Sequence, residues 1–284
     1  MQCNFLRKVD HRLKILAIRD LIDQGVTFPV RCQLSEGINA IVKYPKNPAG
    51  SSVLINEWVG NSIADAIGLS IPEYGCCYLS EEVIEATNDN EEIDKRNAGL
   101  CFFSVLQSNT ACVNRRVLSE TTTKETEKLI LFDFLVDNED RHIGNILYEV
   151  SRDKRVYFID CSHIMVPSSY QLDDPLNVQW ELSDDAILSP HLFENENSNL
   201  YNELCETMGY KEDMLYSERD RIRETLTFSM LNDIRESIPQ EWVTPFTDRR
   251  IKDMFIILEE RVSRIDEIAD MIAQERRKGQ WRKY

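Results

Sequence analysis

The sequence predicts an α+β chain with two lobes, β-rich over residues 1–108 and helical over residues 109–284. Three observations predict it. Short apolar runs bounded by turn residues recur in the first third: VTFPVRCQL, NAIVKY, SIPEYGCCYL and AGLCFFSVLQS. Beyond residue 108 the apolar residues fall instead into the three-to-four spacing of helices. With 42% hydrophobic and 29% charged residues among 284, there is enough apolar material for a sizeable core.

Taken in order, VTFPVRCQL and NAIVKY read as two strands of a hairpin joined by SEGI, with Gly37 in the turn and Lys43 inside the second strand. SSVLINEWVGNSIADAIG reads as a helix capped by Ser51 or Ser52, with Leu54, Trp58 and Ala66 or Ile67 on one face and Gly68 as its stop. SIPEYGCCYL is a strand after a proline break, EATNDNEEIDKR (85–96) an exposed acidic loop, and AGLCFFSVLQS a buried strand. TTTKETEKLILFDFLVD is a helix whose threonines cap a segment from Lys124 to Leu135. NILYEV and RVYFID are short strands, and residues 166–198 are acidic, proline-bearing and irregular. SERDRIRETLTFSMLNDIRESI and TDRRIKDMFIILEERVSRIDEIADMIAQ are amphipathic helices. In the second, Ile251, Met254, Phe255, Leu258, Val262, Ile265 and Ile268 form a core-facing stripe.

The net charge of −16 disfavours nucleic-acid backbones and anionic membranes as partners. The one basic cluster, Arg276, Arg277, Lys278, Arg282 and Lys283, reads as a solvated tail. None of the eight cysteines forms a CxxC pair, which fits buried free thiols in a reducing compartment. MQCNFLRKVDHRLK meets charge before an apolar stretch long enough for a leader, and no run approaches about 18 apolar residues, so a cytoplasmic location is expected.

The chemistry-bearing stretch is LVDNEDRHIGNILYEV followed by SRDKRVYFIDCSHIM. If the two strands form a hairpin, Asn145 at its entrance and Asp160 at its exit converge as two hard oxygen ligands, suited to Mg²⁺ that also takes phosphate oxygens. Asp140, one loop turn away, is placed to accept a proton from an attacking hydroxyl. Upstream, Lys43 on a strand and Glu57 on the next helix supply a phosphate-gripping cation and its carboxylate partner. Base, amide, acid, lysine and glutamate in this order match the division of labour in phosphoryl transfer.

DRHIGNIL with YFIDCSHIM resembles the catalytic and metal-binding loops of HipA-like kinases, and AIVKY with VLINEWVGNSIADAIGLSIPE resembles their lysine strand and following helix. The similarity runs from about Val26 to Met165. It implies a protein-kinase-like fold, use of ATP and Mg²⁺, and transfer to a Ser or Thr hydroxyl of a protein. By position, Asp140 would be the base, with His142 as the motif histidine bracing the loop. Asn145 and Asp160 would bind metal, while Lys43, oriented by Glu57, would hold phosphates. The family also implies an antitoxin-type partner. The pattern departs from relatives in lacking Gly-x-Gly-x-x-Gly, so Ser35 and the backbone at Glu36 and Gly37 are candidates for covering the phosphates. Asp160 is followed by Cys161 and Ser162, unlike eukaryotic-type kinases. The adenine-gripping hinge is expected in FFSVLQS, and Ser168, Ser169 and Tyr170 are candidate modification sites in an activation-type segment. His163 reads as a hydrogen-bonded loop histidine. Alternatives are a phosphatidylinositol-type kinase, disfavoured by the acidic surface, a small-molecule kinase, and a degenerate fold serving as a binding module.

Overall fold

A computed structural model describes residues 13–22, 27–47, 50, 52–87, 93–111, 113–121, 125–150, 153–165, 183–279 and 281. Strand β1 (Leu13–Leu21) is the first described element and pairs antiparallel with β2 (Val30–Leu34), which pairs with β3 (Asn39–Lys43). The expected turn between β2 and β3 is present, with Gly37 at φ +76°. Strand β1 was not expected from the sequence. Its register slips between Ile15 and Ala17 and again between Ile18 and Asp20, and these bulges break the period-two alternation that marks a strand.

Helix α1 (Ser52–Ala66) follows, then β4 (Tyr74–Leu79), α2 (Glu81–Ala86) and β5 (Gly99–Val105). The five strands close a barrel in the order β1-β2-β3-β5-β4, sealed by a short parallel contact between β1 and β4. Val30, Cys32, Val42, Cys77, Cys101 and Phe103 fill its interior, while Tyr74, Cys76 and Phe102 belong to the core shared with α1 and the helical lobe. Alternation along β4 and β5 thus feeds two cores from one sheet.

Helix α1 differs from the expected one-faced helix. All 13 residues from Ser52 to Ala64 are buried, because the helix is wedged between barrel and helical lobe. Its polar side chains find partners there: Asn56 Nδ2 donates to the Ser162 carbonyl (2.6 Å), and Trp58 Nε1 to Ser237 Oγ (2.9 Å). Ser52 Oγ has no hydrogen-bond partner among the described residues and so does not cap the helix; Ser51 lies outside them. Gly68, at φ +69°, ends the helix as expected. The segment expected as an exposed loop from residue 85 begins inside α2, and residues 88–92 lie outside the described set.

The helical lobe starts with β6 (Thr110–Ala111), α3 (Arg115–Glu120) and α4 (Thr126–Val136). Helix α4 begins at Thr126 with no side-chain cap, later than expected, and residues 122–124 lie outside the described set. The hairpin β7 (Ile146–Glu149) and β8 (Val156–Phe158) forms as expected, with β6 added along β7. Residues 183–198, expected to be irregular, hold α5 (Asp184–Leu188), a 3-10 turn (Pro190–Phe193) and the start of α6 (Asn197–Thr207). Ser168, Ser169 and Tyr170 lie outside the described residues.

Each expected long C-terminal helix is two helices. Thr227, accepting from Met230 N–H (3.2 Å), caps α8 (Phe228–Glu236) and separates it from α7 (Glu212–Thr225). Arg264 separates α9 (Pro245–Ser263) from α10 (Ile265–Arg277). The stripe from Ile251 to Ile268 packs inward, with α6, α7, α9 and α10 around central α4. Of the basic cluster, Arg277 and Lys278 are exposed as expected, and Arg282 and Lys283 lie outside the described residues; Arg276 lies over the ring of Trp281, which is itself buried against Phe193 and Tyr201. The six described cysteines are buried thiols. Among the described residues no helix is long and apolar enough to cross a membrane.

Candidate active site

One cavity of about 800 Å³ opens between barrel and helices, and Lys43, Glu57, Asp140, His142, Asn145 and Asp160 all line it. Lys43 projects from β3, where pairing with Phe102 of β5 fixes its backbone. Its ammonium reaches Glu57 Oε1 and lies 3.0 Å from Asp160 Oδ1, a contact spanning 117 residues of sequence. Glu57 is fixed in turn by Asn61, one helical turn on, whose Nδ2 donates to Oε2 at 3.0 Å. Asp160 follows β8 in the left-handed region (φ +66°), and its Oδ1 also accepts from the Ser162 N–H (3.0 Å) and hydroxyl.

The charges respond to this enclosure. Burial works against the Asp160 carboxylate, but the Lys43 ammonium and the Ser162 bonds outweigh it and hold the group well below the usual carboxylate range. Burial likewise opposes the Lys43 charge, yet Asp160 and Glu57 raise the ammonium above its ordinary value. Burial pushes Glu57 up to about 7 against the pull of Lys43. The result is a fixed cation beside an aspartate whose ionised form is favoured.

The loop between α4 and β7 presents the remaining groups. Asn145 is buried; its Nδ2 donates to the Asp140 carbonyl (2.6 Å), which ties the two ends of the loop together. The Asp140 carboxylate is half exposed, with Oδ2 3.5 Å from His163 Nδ1 and Oδ1 3.9 Å from His142 Nε2. His142 Nδ1 accepts from Gly144 N–H (3.0 Å), capping the 3-10 turn Ile143–Asn145. A Cβ on Gly144 would meet that imidazole at 2.8 Å, so the bracing contact needs glycine. His163 is the expected hydrogen-bonded loop histidine, 3.0 Å from Ser162 Oγ.

Ser35 and Gly37 are not at the cavity. They sit in the turn at the far end of β2, where Ser35 Oγ accepts from Lys14 N–H (3.1 Å). The wall over the cavity comes instead from the connection between β1 and β2, through Ile22, Thr27 and Pro29. That correction follows from the missed β1: the first hairpin of the barrel lies one strand earlier than expected. The segment expected to hold the hinge does reach the cavity, through Phe102, Ser104, Val105, Leu106 and Gln107.

Sequence reasoning assigned nothing to Arg141, the residue that organises the loop. Its guanidinium is fully buried, bonds both oxygens of buried Asp133 on α4 (3.0–3.2 Å) and donates to the Ile159 carbonyl (2.7 Å). One side chain therefore joins α4, the loop of Asp140 and the backbone just before Asp160. The readable signal was Asp133 itself, an acid within the apolar run LILFDFLV.

The model of the HipA-like kinase family matches residues 15–269. The chain belongs to the HipA-like kinase family. Among solved structures it is similar to a Helicobacter pylori proinflammatory kinase, CtkA, at 15% identity over 93% of this chain and 99% of that one, with a TM-score of 0.55. It is also similar to a Golgi casein kinase crystallised with Mn and ADP, at 13% identity over 93% of this chain and 73% of that one, with a TM-score of 0.47. At these identities the first likeness is one of fold, a protein-kinase-like arrangement of β-rich and helical lobes. No curated protein sequence matches.

Proposed function

We propose that this family member transfers the γ-phosphoryl group of ATP to a Ser or Thr hydroxyl of a protein, with residues 1–108 as the nucleotide-binding lobe and 109–284 as the catalytic lobe. The observation that carries the reading is the Lys43–Glu57–Asp160 cluster on the wall that also holds Asp140 and Asn145. Five side chains of the types phosphoryl transfer uses, drawn from both lobes, share one cavity of nucleotide size.

In this reading the Lys43 ammonium binds phosphate oxygens, and Glu57 keeps it extended along the cavity wall. Asn145 and Asp160 fit Mg²⁺ as hard oxygen donors: the amide nitrogen of Asn145 is already bound to the Asp140 carbonyl, leaving its carbonyl oxygen for a cation. Bound there, Mg²⁺ would neutralise charge on the phosphate oxygens. Asp140 accepts the proton of the attacking hydroxyl, and its half-exposed position suits an acceptor arriving from solvent. The hinge at Val105–Gln107 borders the adenine end.

The test separates binding from transfer. Wild type should show a thermal shift with ATP that requires Mg²⁺, and Asp160→Ala should lose it. Asp140→Ala should keep the shift while transfer of labelled γ-phosphate to protein falls by about 10²–10⁴. Transfer by Asp140→Ala at the wild-type rate overturns the role of the base. Labelling of lipid vesicles in place of protein overturns the substrate class.

A further inference from the structure

We propose a second metal site, at the edge of the nucleotide cavity, in which Asp137, Glu139 and His191 bind one Zn²⁺-type divalent ion and clip the catalytic loop to the helical lobe. Asp137 ends α4 in the left-handed region (φ +51°), Glu139 lies two residues on, and His191 stands on the 3-10 turn Pro190–Phe193. One ligand atom from each lies within 4.8 Å of the others.

The spacing suits ligands of a single ion. His191 Nε2 is 3.2 Å from Asp137 Oδ1 and 3.3 Å from Glu139 Oε1. Bonds of about 2.0–2.1 Å from a tetrahedral ion to N and O donors place neighbouring donors about 3.3 Å apart. A second observation points the same way. Asp137 is 6% exposed, and its Oδ1, which faces His191 Nε2, accepts no hydrogen bond of good geometry from any described residue. A buried carboxylate oxygen normally has a well-aligned donor, and one that faces only a fellow candidate ligand has a lone pair left for an ion. The other oxygen, Oδ2, is engaged 3.4 Å from Arg261 Nη2, so one oxygen faces the protein and one faces the cluster.

The donor set selects the ion. An imidazole with two carboxylates suits a borderline cation such as Zn²⁺ better than Mg²⁺, which prefers oxygen alone. Three protein ligands leave a fourth position for water. Glu139 also lines the nucleotide cavity beside Asp140, so occupancy would hold the base's loop against the turn that carries His191. The site uses none of the residues assigned to phosphoryl transfer, and it stands or falls separately from that reading.

The test uses Co²⁺ as a spectroscopic probe on the full chain after chelation, at mildly alkaline pH because the imidazole must be neutral to ligate. Wild type should take up one equivalent with the intense visible absorption of a tetrahedral ion, and Zn²⁺ should displace it. Glu139→Gln and His191→Ala should each lose that absorption, while Asp160→Ala should keep it. If His191→Ala does not fold, Glu139→Gln decides alone, since its side chain is one-third exposed. No tetrahedral absorption in wild type, its survival in either ligand variant, or its loss in folded Asp160→Ala overturns the proposal.

Discussion

Gly60 sits on α1 one turn beyond Glu57, and replacing it with alanine tests whether that helix sets the position of Asp160. Mid-helix, Gly→Ala ordinarily stabilises by about 0.5–1 kcal/mol through backbone entropy. Here a Cβ would stand 2.5 Å from the Cβ of Cys161 and 2.8 Å from its Sγ. Neither atom is the far end of a flexible chain, so the clash moves backbone. Restoring ordinary contact at 3.4 Å needs a shift of about 0.9 Å, and Cys161 carries Asp160 with it. The Lys43–Asp160 contact, 3.0 Å in the structure, would then stretch beyond hydrogen-bonding range. Overpacking costs about 1–3 kcal/mol, which exceeds the entropic gain over most of that range, so Gly60→Ala should be net destabilised. A misplacement of about 1 Å should also lower kcat/KM for phosphoryl transfer about 100-fold. Urea unfolding read beside a γ-phosphate transfer assay checks both. A variant more stable than wild type, or one with transfer within about threefold of it, refutes the argument that this close approach holds the site.

Three further outcomes follow from buried groups. Asp133→Leu leaves the Arg141 guanidinium buried without its carboxylate and should cost about 3–5 kcal/mol in urea unfolding; a cost below about 1 kcal/mol would mean the pair does not organise the loop. Trp281→Ala removes a ring packed on Phe193 and Tyr201 and should cost about 3–5 kcal/mol, whereas a neutral result would mean that this ring does not anchor the end of the helical lobe. Burial raises the Glu127 carboxyl above its ordinary 4.5, so the folded state holds that proton more tightly than the unfolded one. Its contribution is present below pH 4.5 and is lost as pH rises through the folded value. The stability of wild type relative to Glu127→Gln should therefore fall from pH 4 towards neutrality, and a difference that stays flat or grows would contradict the sign.

Lys43, Glu57, Asp140, Asn145 and Asp160 were legible in the sequence because each sits in a local pattern that fixes its direction, a strand, a helix or a hairpin end. The wall over the cavity was not. Two bulges hid β1, and with β1 unseen, the covering turn was assigned to Ser35 and Gly37 instead of the connection through Thr27 and Pro29. The division of both long C-terminal helices was equally hidden, since apolar spacing continues across Thr227 and Arg264 and only the cap at Thr227 marks a break.

What the periodicity could not carry was the joining of the lobes, and the reason is physical. Contacts between elements far apart in sequence leave no repeat; they leave polar residues where only apolar ones are expected. Asn56, Glu57 and Asn61 on α1 and Asp133 on α4 are such residues, each buried and each bonded. The Asn56 carbonyl oxygen accepts from Arg250 of α9 (2.9 Å), and its amide donates to the backbone of Ser162, so one side chain ties the lysine-bearing lobe to the Asp160 loop and the helical lobe together. A buried polar group costs free energy unless it is paired, so its place in an apolar helix marks where the partner element must dock. The same reasoning that locates the cavity therefore also locates the seam that keeps its two walls in register.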